Sequence, residues 1–397
     1  MGLEMGVGDK KAPSSGTGEE DTVMKKILAG TTALVALTLV GGNAFAADKI
    51  ALSLGGKQEV YFGGIGSFDD GNVKDGDGLG MDTDTEVYVT GSTKLDNGIA
   101  IKAMIQMEAE ANRNGARNVD EQWIEASGAF GALRLGEKEG VMDRFAVRAP
   151  LADDYLGYFS MVNAADWLKT PLTSTGGSTA NYFAALDTRP ADDTLRVTYV
   201  TPAFWGVQAG VSYAPNRDIT RSNLSTPGSA SGATGVPTGE TGRDEVQVGL
   251  ALNKEFSGVK VFADGSFSTL VDDGDEWLYR GGLGVNYAGF TLSGSYMGRS
   301  GEDVPNGSAT NPGEYSIWEA GLHYATGPYG VGFSYAQNDA ESGASRTVYN
   351  LGGTYTMGPG INVIGHVFYA DNTVERSGAK DWSRDGIGAV TGLVLAF

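Results

Sequence analysis

With 397 residues, 61 of them Gly, 12 Pro and no Cys, the chain carries about twice the usual glycine share but lacks the composition of a fibrous or low-complexity protein. The absence of cysteine excludes disulfides, thiolate metal sites and cysteine nucleophiles. A formal net charge of −20 argues against nucleic-acid binding, which draws on clustered Lys and Arg.

Residues 1–23 are polar, rich in Gly, Ser, Thr and Glu, and precede a second methionine, Met24. They are expected to be disordered, as a misassigned start or a tag. From Met24 the chain reads MKKILAGTTALVALTLVGGNAFA, with Lys25 and Lys26 ahead of an apolar stretch over 27–40 and Ala44-Phe45-Ala46 at its end. That is the layout of a secretory signal peptide over 24–46, with cleavage before Ala47. A transmembrane anchor is the competing reading, but the apolar run is too short to span comfortably. No later segment approaches 18 apolar residues, so the mature part, 47–397, is either soluble or a transmembrane β-barrel.

From Ile50 onward, segments of about 10 residues alternate apolar and polar, the period of a half-buried strand. In 99–110, Ile99, Ile101, Ala103, Ile105 and Met107 oppose Lys102, Gln106, Glu108 and Glu110. In 246–252, Val246, Val248, Leu250 and Leu252 oppose Gln247 and Gly249, and in 277–287, Trp277, Tyr279, Leu283, Val285 and Tyr287 oppose Arg280, Gly282, Gly284 and Asn286. A soluble sandwich would alternate in the same way. The connections separate the two. Short turns near 96–98, 128–131, 203–206, 256–258, 288–289, 326–330 and 358–360 are interleaved with longer polar links near 67–83, 111–119, 140–193, 215–242, 271–276, 301–313, 338–346 and 371–384. Strict alternation of short and long links predicts an all-β antiparallel barrel of about 16 strands, with short periplasmic turns and long extracellular loops.

Aromatic residues support this. Phe130, Phe204, Trp205, Phe256, Phe290 and Tyr329 fall at the short turns, whereas Tyr213, Phe267, Trp277, Tyr279, Tyr296, Tyr315, Trp318, Tyr335 and Tyr369 fall toward the long links. Rings prefer the headgroup level, so two girdles are expected. Parity then turns Lys57, Lys102, Arg134, Lys138, Arg196, Lys260 and Arg280 into the lumen, because a Lys or Arg on the lipid face near the midplane costs roughly 2–4 kcal/mol. Two histidines, His323 and His366, sit on separate strands with no nucleophile motif beside them, so an enzyme is not expected.

The chain closes on an amphipathic strand over 387–397 that ends in Phe397. Signal peptide, strand and loop rhythm, long third loop and terminal phenylalanine together make 47–397 resemble the general porins of Gram-negative bacteria, particularly the alphaproteobacterial kind. The resemblance implies an outer-membrane channel for passive diffusion of small hydrophilic solutes and ions, assembled as a homotrimer amid lipid and lipopolysaccharide. Phe397 would be the mark read by the barrel-insertion machinery. The third loop, 140–193, would fold inward as the constriction, presenting the acidic Asp143, Asp153, Asp154 and Asp166 toward the basic wall. The loop's acidity predicts a weak preference for cations. Tyr155, Tyr158, Phe159 and Trp167 in the same loop keep a sugar-specific channel open as the alternative. No cofactor is expected beyond calcium at Asp69, Asp70, Asp75 and Asp77, whose clustered oxygens suit that ion although they lack EF-hand spacing.

Overall fold

The structure, a computed structural model, describes residues 49–69, 78–109, 119–150, 167–168, 193–215, 244–271, 276–300, 313–378 and 380–397. The expected signal peptide, 24–46, and residues 1–23 lie outside these residues. Sixteen strands are formed among the described residues: β1 (Ala51–Asp69), β2 (Gly78–Lys94), β3 (Ala100–Glu108), β4 (Val119–Gly128), β5 (Gly131–Lys138), β6 (Thr194–Val200), β7 (Val207–Ala214) and β8 (Glu245–Phe256). They continue with β9 (Val259–Leu270), β10 (Trp277–Tyr287), β11 (Phe290–Ser300), β12 (Tyr315–Thr326), β13 (Tyr329–Ala340), β14 (Ala344–Gly358), β15 (Ile361–Val374) and β16 (Trp382–Ala396). Each strand pairs antiparallel with its sequence neighbours, and β1 pairs with β16 to close the barrel. Closure satisfies every edge, the condition for crossing a bilayer with strands.

Period-two alternation sets which side each residue faces. On β10, Trp277, Tyr279, Leu283 and Tyr287 are exposed on the outside, while Leu278, Arg280 and Gly284 are buried within. Exposed rings collect at both rims, Phe204, Trp205, Phe256, Phe290 and Tyr329 at the short turns and Trp277, Tyr279, Tyr296 and Trp318 at the other end. Tyr315 departs from the expected girdle: it is buried, and the Arg299 guanidinium lies 5.8 Å from its ring. The short turns follow from their chemistry. Ser257 and Gly258 between β8 and β9, like Ala288 and Gly289 between β10 and β11, all have positive φ. Two successive positive-φ residues make the two-residue turn whose twist matches an antiparallel hairpin.

Several expected links shorten, and the expected interior changes. The links expected over 67–83 and 371–384 are 70–77 and 375–381, because β1, β2, β15 and β16 run further than their apolar alternation. The link expected over 338–346 is only 341–343, because β13 and β14 run on through their polar ends, Gln337 to Asp339 and Ser345 to Thr347. Outside the membrane an amphipathic strand needs no apolar face to keep its ladder. The interior is also not polar throughout. On β11–β16 and β1, inward positions carry Met297, Ile317, Val348, Ile364, Phe368 and Tyr61 among others, all buried in one cluster with Leu168. Apolar residues occupy both faces there, so an apolar face does not by itself mark lipid.

Candidate functional site

The interior is where transport chemistry can occur, and a chain segment enters it directly after β5. At Gly140 a Cβ would lie 2.0 Å from Gln247 Oε1, so any larger residue would displace the Gln247 side chain as the chain turns in beside β8. A one-turn helix follows, α1 (Val141–Arg144), and the chain then runs along the inner wall as far as Pro150. Six consecutive strands each send one side chain to it. Ser212 Oγ of β7 accepts from the Val141 N–H at 3.0 Å, and Gln247 Oε1 of β8 from Met142 at 3.1 Å. Asp264 Oδ1 of β9 accepts from Val147 at 2.8 Å, and Glu319 Oε1 of β12 from Ala149 at 2.8 Å. Arg280 of β10 donates to the carbonyls of Met142 (3.3 Å) and Val147 (2.6 Å), and Ser293 of β11 to that of Arg148 (2.7 Å). A backbone without its own ladder is thereby satisfied in a place where orphaned groups would be costly.

Glycines make the room. A Cβ at Gly210 would lie 2.8 Å from Val141, at Gly249 3.1 Å from Phe145, at Gly282 2.7 Å from Val147 and at Gly321 3.1 Å from Pro150. These positions form a track across β7–β12 beside the hydrogen-bonding side chains, and the ladder pairs Gly210 directly with Gly249.

The seven basic residues expected on the wall all belong to the inward face, Lys260 as an exposed residue at the short-turn end of β9, and five of them have carboxylate partners. Lys57 reaches Asp84 (2.7 Å) and Glu86 (3.0 Å), and Lys138 reaches Glu121 and Glu139, both at 2.5 Å. Arg134 and Arg144 share Glu125 at 2.9 and 3.2 Å. Arg196 meets Glu245 at 3.4 Å, and Arg280 meets Asp264 at 3.6 Å in the belt already described. Lys102 stands 5.5 Å from the Trp123 ring and Arg134 4.4 Å from it, within cation–π range. Asp143 forms an ion pair with Arg148, whereas Asp153, Asp154 and Asp166 lie outside the described residues. The calcium candidates Asp70, Asp75 and Asp77, and the Asp69 side chain, also lie outside them.

Several inward carboxylates were not singled out from sequence. Glu59, Asp82, Asp84 and Glu86 share one face of β1 and β2, and Glu108 pairs with Glu86 across β3. Oxygens of Asp84, Glu86 and Glu108 come within 4.8 Å of one another. Strand parity held this signal, since 82, 84 and 86 fall on one side, but their meeting with Glu108 depends on the β2–β3 register. At the closing seam, Phe397 and Gly56 exchange backbone hydrogen bonds of 2.9 and 3.0 Å. The Phe397 ring then covers Gly56, where a Cβ would lie 3.0 Å from it.

A Gram-negative porin family profile matches residues 31–375 of the chain. Comparison with curated proteins gives no match. Among solved structures, the chain is similar to the anion-selective porin from Comamonas acidovorans, 15% identical, over 88% of this chain and 100% of that one, with a TM-score of 0.56. It is similar to a mutant of the Rh. blastica porin at 12% identity, over 87% and 100% of the two chains, TM-score 0.53. It is also similar to OmpT of Vibrio cholerae in its trimer form, at 11% identity, over 88% and 100%, TM-score 0.53. At such identities the likeness is one of fold. The family match over most of the length, and a closed barrel around a charged interior, lead to one conclusion: this chain belongs to the Gram-negative porin family and is an outer-membrane channel, not an enzyme.

Proposed function

We propose that the channel passes small hydrophilic solutes and ions by passive diffusion with a weak preference for cations, and that residues 140–193 narrow it. The observation that carries the preference is the inward face of β1–β3, where Glu59, Asp82, Asp84, Glu86 and Glu108 outnumber Lys57, Lys94 and Lys102. Rings and patches of one sign on a pore wall raise the local concentration of the opposite ion. Arg134, Arg144 and Arg148 oppose the effect, which keeps the preference weak, and their ties to Glu125 and Asp143 keep them from reversing it. The belt holding 140–150 against β7–β12 supports the constriction reading. OmpT of Vibrio cholerae, similar in fold, occurs in a trimer form. A homotrimer is the assembly we propose here too.

The zero-current potential across a planar bilayer in a KCl gradient tests the preference. At 0.1 M salt the Debye length is about 10 Å, comparable to a narrow pore, and at 1 M about 3 Å, so the preference is expected to fade at high salt. Replacing Asp84 and Glu86 by Asn and Gln should move the potential toward anions, and so should replacing Asp153, Asp154 and Asp166 together by Asn. A wild-type potential of anionic sign overturns the proposal. No shift in the loop triple variant would remove those three residues from the constriction.

A further inference from the structure

The long loop is held at a second place, and by a different force. Leu168 is fully buried, and it belongs to the apolar cluster on the inner faces of β11–β16 and β1 that includes Tyr61, Ile317, Val348 and Phe368. Its neighbour Trp167 packs on the edge of the same cluster and covers Gly80 of β2, where a Cβ would lie 3.3 Å from the ring. The belt over 141–150 lies on β7–β12 and meets this cluster on β11 and β12, where Glu319 stands two residues from Ile317 on the same face. An apolar inner wall in a water-filled pore is costly when wet, at roughly 25 cal/mol per Å² of surface. Here Leu168 and Trp167 of the loop pack on it. Pro150 lies against Gly321 of β12 and Trp167 against Gly80 of β2, so the residues flanking 151–166 are seated on different strands of the inner wall.

We infer that Trp167 and Leu168 are positioning residues that anchor the constriction loop at a second place on the inner wall and thereby set the largest solute the channel admits. This rests on the reading of 140–193 as the constriction. Truncating a buried leucine costs about 2–5 kcal/mol, and adding a charge costs more, so Leu168→Asp should weaken the anchor by at least about thirtyfold. Leu168→Met keeps the volume and apolarity and should leave it intact.

Liposome swelling with sugars of graded size reads the outcome. Wild type and Leu168→Met are expected to share one size limit, and Leu168→Asp to admit larger sugars. Arg280→Ala, which removes two bonds from the belt, serves as the comparison. If Arg280→Ala raises the limit and Leu168→Asp does not, the anchor is wrong and the constriction stands. If neither changes it, the constriction reading itself fails. A second measurement covers a Leu168→Asp chain that does not fold. The protein has no cysteine, so Leu168→Cys introduces a single thiol. In the folded barrel that thiol is expected to resist a bulky water-soluble maleimide and to react once the sample is boiled in SDS. Labelling of the folded protein at the rate of an exposed thiol would overturn the inference.

Discussion

Single residues decide where the loop can lie, and glycine shows it best. Gly282 faces the lumen under Val147, with a Cβ position 2.7 Å from the Val147 Cβ, whereas Gly265 on neighbouring β9 has nothing within 4 Å of its own. Gly282→Val should therefore unseat the belt and cost about 1–3 kcal/mol of overpacking. Gly265→Ala should be neutral or slightly stabilising, because alanine loses less backbone freedom on folding. The temperature at which the SDS-resistant form is lost would separate them, and equal behaviour would mean the track does not seat the loop. Parity in the sequence turns Gly282 inward and Gly265 outward. It does not say that the loop arrives over Gly282, which is what makes a glycine necessary there. Lys57, Arg134, Lys138, Arg196 and Arg280 were legible as inward residues from parity alone. Their partners were not, since Lys57 meets Asp84 and Arg196 meets Glu245 only through strand register.

At the scale of elements, the strands were legible wherever one face was polar. β8 and β10 have the faces that their sequences predict. β15 shows where legibility ends: Ile364, Phe368 and Ala370 are buried inside while Val363 and Val367 are exposed outside. Alternation cannot tell an apolar lumen from a lipid face, so the loop's apolar anchor was hidden. The terminal strand was readable because it ends in an aromatic residue, yet its seat was not. Phe397 pairs with Gly56 by two backbone bonds and lays its ring over that glycine, the usual way an aromatic side chain protects a strand glycine. Deleting Phe397 removes both bonds and the ring from the one seam joining the first and last strands. Lower amounts of barrel in the outer membrane are expected, measured by immunoblot of membrane fractions. Gly56→Val, which would put its Cβ 2.4 Å from the Glu86 carbonyl as well as against the ring, should act in the same direction. Unchanged levels in the deletion would take away the role assigned to Phe397.

For the whole molecule, the interleaving of short and long links carried the architecture, because only a barrel threaded through a membrane sorts its turns to one end. The path of the third loop inside that barrel was implied by resemblance and not by spacing, since no local pattern says whether a polar loop turns inward or out. A closed ladder has no edge from which to unravel, so unheated samples should resist SDS. In the proposed homotrimer they should run as one large species that collapses on boiling, and identical mobility before and after heating would count against a closed assembly. The most direct measurement is the single-channel conductance of the purified protein in a planar bilayer. Discrete, long-lived steps are predicted, with a small cationic zero-current potential at 0.1 M KCl that diminishes at 1 M as screening shortens the reach of the wall charges. A folded, SDS-resistant barrel that inserts without producing conductance steps would contradict the account.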